Sequence, residues 1–277
     1  MNRQIFLDAL ASLPPAFRDA RPYASLLLGS GWNRAVGSLR VLAEAPYSEI
    51  AGFGAATVVG HDGRLLLART KRGGEVLVFC GRRHWYEGCE WEQVVMPAAL
   101  TKELGCPVFL VTNAAGGIRP TLRPGDVVVI RDHLRLSPLT PLRGPHDPAF
   151  GPRFPDQSRV YDPDLAALLH EAGARQGLAL TDGVYVLSCG PAFETPAEIR
   201  AYGILGADVV GMSTVPEAMV ASACGLRVAG LSFVSNMAAG VTGQLLDGND
   251  VVDCAARHSE RLARLVLDFL DLAAPAL

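Results

Sequence analysis

Residues 80–88, Cys-Gly-Arg-Arg-His-Trp-Tyr-Glu-Gly, follow directly on the apolar run of residues 75–79. Two arginines, a histidine, two aromatics and a glutamate are costly beside a core unless something anionic or polar sits there. Arg82 and His84, two apart, suit phosphate, because a guanidinium fork matches its oxygens; the alternative is a solvated loop pair. Gly29-Ser30-Gly31 could bring backbone N–H groups to an anion or be only a tight turn. It is not a dinucleotide fingerprint, since Arg34 stands where a third glycine would. Asn113, Ala114, Ala115, Gly116 and Gly117 read as a loop exposing backbone. Glu194 sits between Phe193 and a helix start, where it either reads a ligand or interacts with the helix dipole. Asn236 is a ligand contact or a satisfied buried amide. Trp85 and Tyr86 are more often packing than ligand contacts. His61, His133, His146, His170 and His258 read as surface or packed.

The elements that would carry these residues alternate between strand and helix. Apolar runs at 24–28, 65–69, 75–79, 107–111, 126–130, 184–187, 208–210 and 227–234 read as strands. Arg72-Gly73-Gly74 reads as a hairpin turn, so the sheet is mixed. Residues 92–104 read as a helix containing Pro97, at a kink or in its first turn. Asp162 caps a helix opened by Pro163 and closed by Gly177. Thr195 to Glu198 and Thr214 to Glu217 both have the capping-box pattern. A final helix spans about 250–272, and a short amphipathic one precedes Pro14-Pro15. The expected fold is α/β: a single domain over residues 1–277, with a mixed, mostly buried β-sheet flanked by helices. Residues 137–162 are too long for an idle connection and read as a lid, binding loop or contact surface. Residues 237–249 are a candidate gate.

Six strand ends in succession carry small, polar or charged groups: Gly29 and Ser30, then Arg82 and His84, then Asn113 onward, then Ser188 to Thr195, then Gly211 to Thr214, then Ser235 and Asn236. Ligands of open α/β sheets bind beyond the carboxyl ends of strands, so six such loops at one rim predict one pocket. Ser30, Arg82, His84, the Asn113 loop and Ser213 form an anion end. Tyr86, Phe193, Glu194 and Asn236 suit a flat heterocycle with donor and acceptor edges. A phosphate beside a base, with neither a P-loop lysine nor a metal cluster, points to chemistry at the sugar between them.

Composition fits this reading. Of 277 residues, 49% are hydrophobic and 19% charged, which describes a globular chain. The net charge of −3 supplies no basic field for nucleic acid. No apolar run reaches the ~20 residues of a membrane span, and the start lacks a signal-peptide pattern. The six cysteines have no metal or CxxC spacing and read as reduced thiols, so the expected location is cytoplasmic.

The chain resembles the trimeric purine nucleoside phosphorylases from Leu26-Leu27-Leu28-Gly29-Ser30-Gly31 to the final helix. GRRHWYEG at 81–88, TNAAGG at 112–117, GPAFET at 190–195, VGMSTVPE at 210–217 and Ser235-Asn236 occur in the family's order. The resemblance implies reversible phosphorolysis of 6-oxopurine nucleosides, with no cofactor and inorganic phosphate as co-substrate. It implies phosphate binding by Ser30, Arg82, His84, Asn113, the Ala114 backbone and Ser213, and ribose binding by Tyr86, Met212 and Tyr185. Phe193, Glu194, Asn236, Ala115 and Gly116 would hold the base, with Asn236, Glu194 and His84 catalytic. Phe154 would reach a neighbouring subunit's site in a homotrimer. The family's histidine at the start of the last helix has no counterpart in Asp247-Gly248-Asn249-Asp250-Val251; Asn249 is the nearest polar group. Methylthioadenosine phosphorylase, nucleoside hydrolase and non-catalytic nucleoside binder are the alternative functions.

Overall fold

The computed structural model describes residues 1–55 and 62–274; His61 lies outside the described residues. The chain opens with helices α1 (Arg3–Ser12) and α2 (Pro15–Asp19), so the proline pair starts a second helix as well as ending the first. Strands β1 (Ala24–Leu28), β2 (Arg40–Pro46), β3 (Arg64–Arg69) and β4 (Glu75–Cys80) follow. Helix α3 (Trp91–Glu103), strands β5 (Val108–Gly117) and β6 (Val127–Arg135), and helix α4 (Pro163–Arg175) come next. Strand β7 (Thr181–Leu187), helix α5 (Pro196–Ile204), strand β8 (Val209–Gly211), helix α6 (Val215–Ala223), strand β9 (Arg227–Met237) and helix α7 (Gly248–Ala273) complete it.

The nine strands form one mixed sheet in the order β2-β3-β4-β1-β5-β8-β7-β6-β9. Strand β9 also pairs with β5, so β5, β8, β7, β6 and β9 close into a ring, and the other four extend from it as an open arm. The hairpin expected at Arg72–Gly74 joins antiparallel β3 and β4. Strand β1 pairs in parallel with both β4 and β5, which aims their carboxyl ends at the same rim.

Both faces of the sheet are buried, as its near-continuous apolar strands require. Leu27 faces a core shared with Phe6, Phe17, Phe79, Phe109 and Tyr185. Its neighbours Leu26 and Leu28 face a second core with Trp32, Phe233, Phe269 and the apolar stripe of α7. Five of the six cysteines are buried, Cys189 is exposed, and all are free. Pro97 lies in the interior of α3, within a buried run, rather than in its first turn. Among the described residues no helix is long and apolar enough to cross a membrane.

Three sequence readings change. The Asn113 segment and Ser235-Asn236 are strand, not loops beyond strands: β5 runs to Gly117 and β9 to Met237. Glycine, alanine and asparagine are poor strand formers, but ring closure gives β5 a partner on each side. The pairing of Ala115 with Val234 is followed by that of Gly116 with Asn236, so Ser235 is the extra residue of a bulge. The third change concerns Thr214 to Glu217, which is no capping box: the Thr214 side chain caps nothing. The box at Thr195 is real, with Thr195 and Glu198 bonding each other's backbone N–H.

Candidate active site

A cavity of about 470 Å³ opens at the rim where these strands end. It gathers Ser30, Arg82, His84, Tyr86, Asn113, Ala114, Ala115, Gly116, Phe193, Glu194, Met212, Ser213 and Asn236. Those residues come from the exits of β1, β4 and β8, from β5 and β9 themselves and from the Ser188–Thr195 segment, so the expected single pocket forms, two of its contributors being strand. Tyr185 and Phe154 are not on its wall.

The exit of β1 is clasped against β5. Gly29 N–H donates to Thr112 Oγ1 at 3.0 Å, and Trp32 Nε1 donates to the Asn113 carbonyl at 3.0 Å. A Cβ on Gly29 would stand 2.6 Å from the Thr112 carbonyl oxygen, so only glycine permits this approach. Ser30 follows directly on this clasp and lines the cavity with Ala114.

His84 is fixed by Glu87. Glu87 Oε1 accepts from the His84 backbone N–H at 2.6 Å and lies 2.8 Å from His84 Nδ1. The opposite edge of the ring carries Nε2. The imidazole stacks on Tyr86 at 4.8 Å between centroids. Burial, and then the Glu87 carboxylate, pushes the Tyr86 hydroxyl up to about 12, so it is a neutral donor at neutral pH.

Arg82 is 1% exposed and forms part of the floor. Its Nη1 donates to Glu217 Oε1 at 3.0 Å and reaches Thr214 Oγ1 at 3.4 Å, while Nη2 donates to the carbonyls of Leu27 and Thr112. Asn113 turns its Nδ2 to Thr214 Oγ1 at 2.9 Å, so its side chain braces the floor. Tyr185 is fully buried; its hydroxyl accepts from Ser213 N–H at 3.3 Å and supports the β8 exit from beneath. The sugar contact expected of Tyr185 is replaced by support for Ser213, because Tyr185 lies in the core and β7 contributes no residue to the cavity wall.

Phe193, Glu194 and Asn236 line the same cavity. Phe193 is 43% exposed at its edge. Glu194 is 8% exposed, and its Oε1 has no hydrogen-bond partner among the described residues. Asn236 is pinned at both ends of its amide: Oδ1 accepts from Ser235 Oγ at 2.8 Å and Nδ2 donates to the Met237 carbonyl at 3.0 Å. The second amide hydrogen of Nδ2 remains for a ligand.

Leu246 and the first turns of α7, with Gly248, Asn249, Val251 and Val252, close one side. Only Asn249 among these was singled out in the sequence; its Nδ2 is held by Asp247 at 3.1 Å. Glu217 was missed as a support of the site, and Thr214 was read only as a strand-end and helix-cap residue. A Thr-x-x-Glu pattern before a helix gives no sign of whether its carboxylate caps the backbone or meets a distant arginine.

Comparisons with known proteins agree with this geometry. Residues 26–271 match the family described as the phosphorylase superfamily. The chain is 41% identical over 266 residues to purine nucleoside phosphorylase 1 of Geobacillus stearothermophilus, covering 96% of each chain. Its fold matches that of Schistosoma mansoni purine nucleoside phosphorylase in complex with adenosine, with a TM-score of 0.87, 33% identity and coverage of 97% and 96%. A Schistosoma purine nucleoside phosphorylase in complex with hypoxanthine matches with a TM-score of 0.86, 32% identity and the same coverage. A matching fold and similarity over nearly the whole length place the chain in the phosphorylase superfamily, among the purine nucleoside phosphorylases, which are pentosyltransferases.

Proposed function

We propose that this purine nucleoside phosphorylase acts on 6-oxopurine nucleosides, with inorganic phosphate as the acceptor of the sugar and no cofactor. The observation that carries the substrate reading is the unpartnered buried oxygen of Glu194. A buried carboxylate oxygen wants a donor. A 6-oxopurine carries a protonated ring nitrogen that can supply one, and neutral adenine lacks it. Phe193 would stack on the base, Ala115 and Gly116 would pass beneath it, and Asn236 would donate to its N7 side.

Ser30, His84, the Ala114 N–H and Ser213 would surround the phosphate, with the Arg82 charge below it. Tyr86 and Met212 would flank the sugar. As the C1′–N9 bond breaks, the sugar gains positive charge and the base negative charge. Phosphate held against C1′ stabilises the first, and an oxygen of it then bonds to C1′. The departing base takes the electron pair of the broken bond, and Asn236 stabilises that charge where it develops. Phe154 supports a homotrimer: it is 88% exposed on the long 137–162 segment, with Arg153 over its ring at 5.9 Å, and is absent from its own chain's cavity wall.

The test is the ratio of kcat/KM for inosine to that for adenosine. A site built around a donor on the base should favour inosine by at least about 10²-fold, and Glu194→Gln should narrow the ratio. Equal or better use of adenosine would overturn the 6-oxopurine reading.

A further inference from the structure

Glu217 is fully buried, yet it lines no part of the nucleoside cavity. It stands in the first turn of α6, and the carboxylate expected to cap that helix is given to Arg82 Nη1 at 3.0 Å instead. The residue before the helix, Thr214, has φ 74° and ψ −51°, a left-handed backbone that β-branched residues seldom adopt. That turn is held from three sides. Thr214 Oγ1 accepts from Asn113 Nδ2 at 2.9 Å, lies 3.4 Å from Arg82 Nη1, and lies 3.2 Å from Ser213 Oγ. One strained turn thus ties together Arg82 after β4, Asn113 from β5 and Ser213 after β8.

We propose that Glu217 is a positioning residue for the phosphate end of the site, acting through Arg82 and the Thr214 turn without touching phosphate or nucleoside. The inference rests on the reading of that end as the phosphate subsite. Glu217 offers the guanidinium a charged acceptor at one corner, and the Leu27 and Thr112 carbonyls fix it at another. A guanidinium fastened at two corners has one orientation, which is what recognition of a tetrahedral anion needs. The same carboxylate balances the Arg82 charge when no anion is bound, so the buried cation is not left uncompensated.

The experiment measures KM for inorganic phosphate and KM for inosine separately in Glu217→Gln, Glu217→Asp, Arg82→Met and the double variant Arg82→Met/Glu217→Gln. Glu217→Gln should raise the phosphate KM at least about 10-fold, the scale of a misplaced binding group, while the inosine KM changes less than about 2-fold. Glu217→Asp, which keeps the charge, should recover part of the loss. In the Arg82→Met background the Glu217→Gln change should add nothing, because its route of action is gone. A phosphate KM unchanged in Glu217→Gln, or an effect that persists without Arg82, would overturn the proposal. Parallel rises in both KM values would also overturn it, as the mark of a merely structural role. If Glu217→Gln fails to fold, Glu217→Asp and the double variant, which buries no uncompensated cation, decide between the same outcomes. Failure of the unaltered enzyme to use phosphate would instead refute the subsite reading itself.

Discussion

The backbone N–H and the ring Nδ1 of His84 converge on a single oxygen of Glu87, at 2.6 and 2.8 Å. Glu87 Oε2 accepts from Arg83 Nε at 3.2 Å, so the carboxylate is itself held. The run of charged residues after β4 is therefore one device: Arg83 fixes Glu87, and Glu87 fixes His84, which lines the cavity. Glu87→Ala should raise the phosphate KM about 10-fold through loss of ring orientation, with the inosine KM within about 2-fold. Steady-state kinetics with each substrate varied in turn checks this. A change confined to the inosine KM would contradict it.

Asn236 is pinned by Ser235 and Met237, so its free amide hydrogen has a fixed direction. Donors of this kind act mainly in the transition state. Asn236→Ala should lower kcat about 10²–10³-fold while the nucleoside KM rises less than about 5-fold. The opposite split would assign Asn236 to ground-state binding.

Gly29 tests the clasp between β1 and β5. Its Cβ position is 2.6 Å from the Thr112 oxygen and 2.9 Å from Asn113 Cα, both backbone atoms that cannot swing aside. Gly29→Ala should destabilise the fold by about 1–3 kcal/mol and cut kcat/KM by about 10²-fold through displacement of Ser30. Thermal unfolding and kinetics on the same preparation check both. A variant with unaltered melting and turnover would show that the approach is looser than described.

Asp162 provides a pH test away from the site. It caps α4, accepting from the N–H groups of Asp164 and Leu165, and pairs with Arg227 Nε at 2.6 Å. Burial raises its pKa, but the Arg227 bond and the two backbone donors outweigh that and leave it below the usual carboxylate value. A depressed folded-state pKa contributes stability above the unfolded value of about 3.9, and that stability is lost as pH falls through the folded value. Asp162→Asn keeps a capping oxygen and removes the charge. It should cost about 1 kcal/mol at pH 7 and progressively less as pH falls below about 4. Denaturant melts at both pH values check this; a penalty independent of pH would contradict it.

Much of this was legible in the residues. Strand β1 falls at Ala24–Leu28 as its apolar run indicates, and the Asp162 and Thr195 caps start their helices where expected. Side-chain chemistry at strand ends was visible because charged and polar residues directly after buried runs need a partner. What was hidden depends on tertiary closure. Asn113 and Asn236 read as loop by propensity, but the ring of five strands pairs them. Glu217 read as a cap because local pattern is silent about a guanidinium 135 residues away in the chain. Tyr185 carries no local sign that β7 lies behind the cavity and adds no residue to its wall.

The central claim is that sugar passes from a purine to phosphate in this cavity. The most direct measurement is hypoxanthine release from inosine with and without inorganic phosphate, with ribose 1-phosphate followed as the second product. Release that requires phosphate and yields ribose 1-phosphate in equal amount is the expected result. Release at the same rate without phosphate, giving free ribose, would contradict the account and make the enzyme a hydrolase.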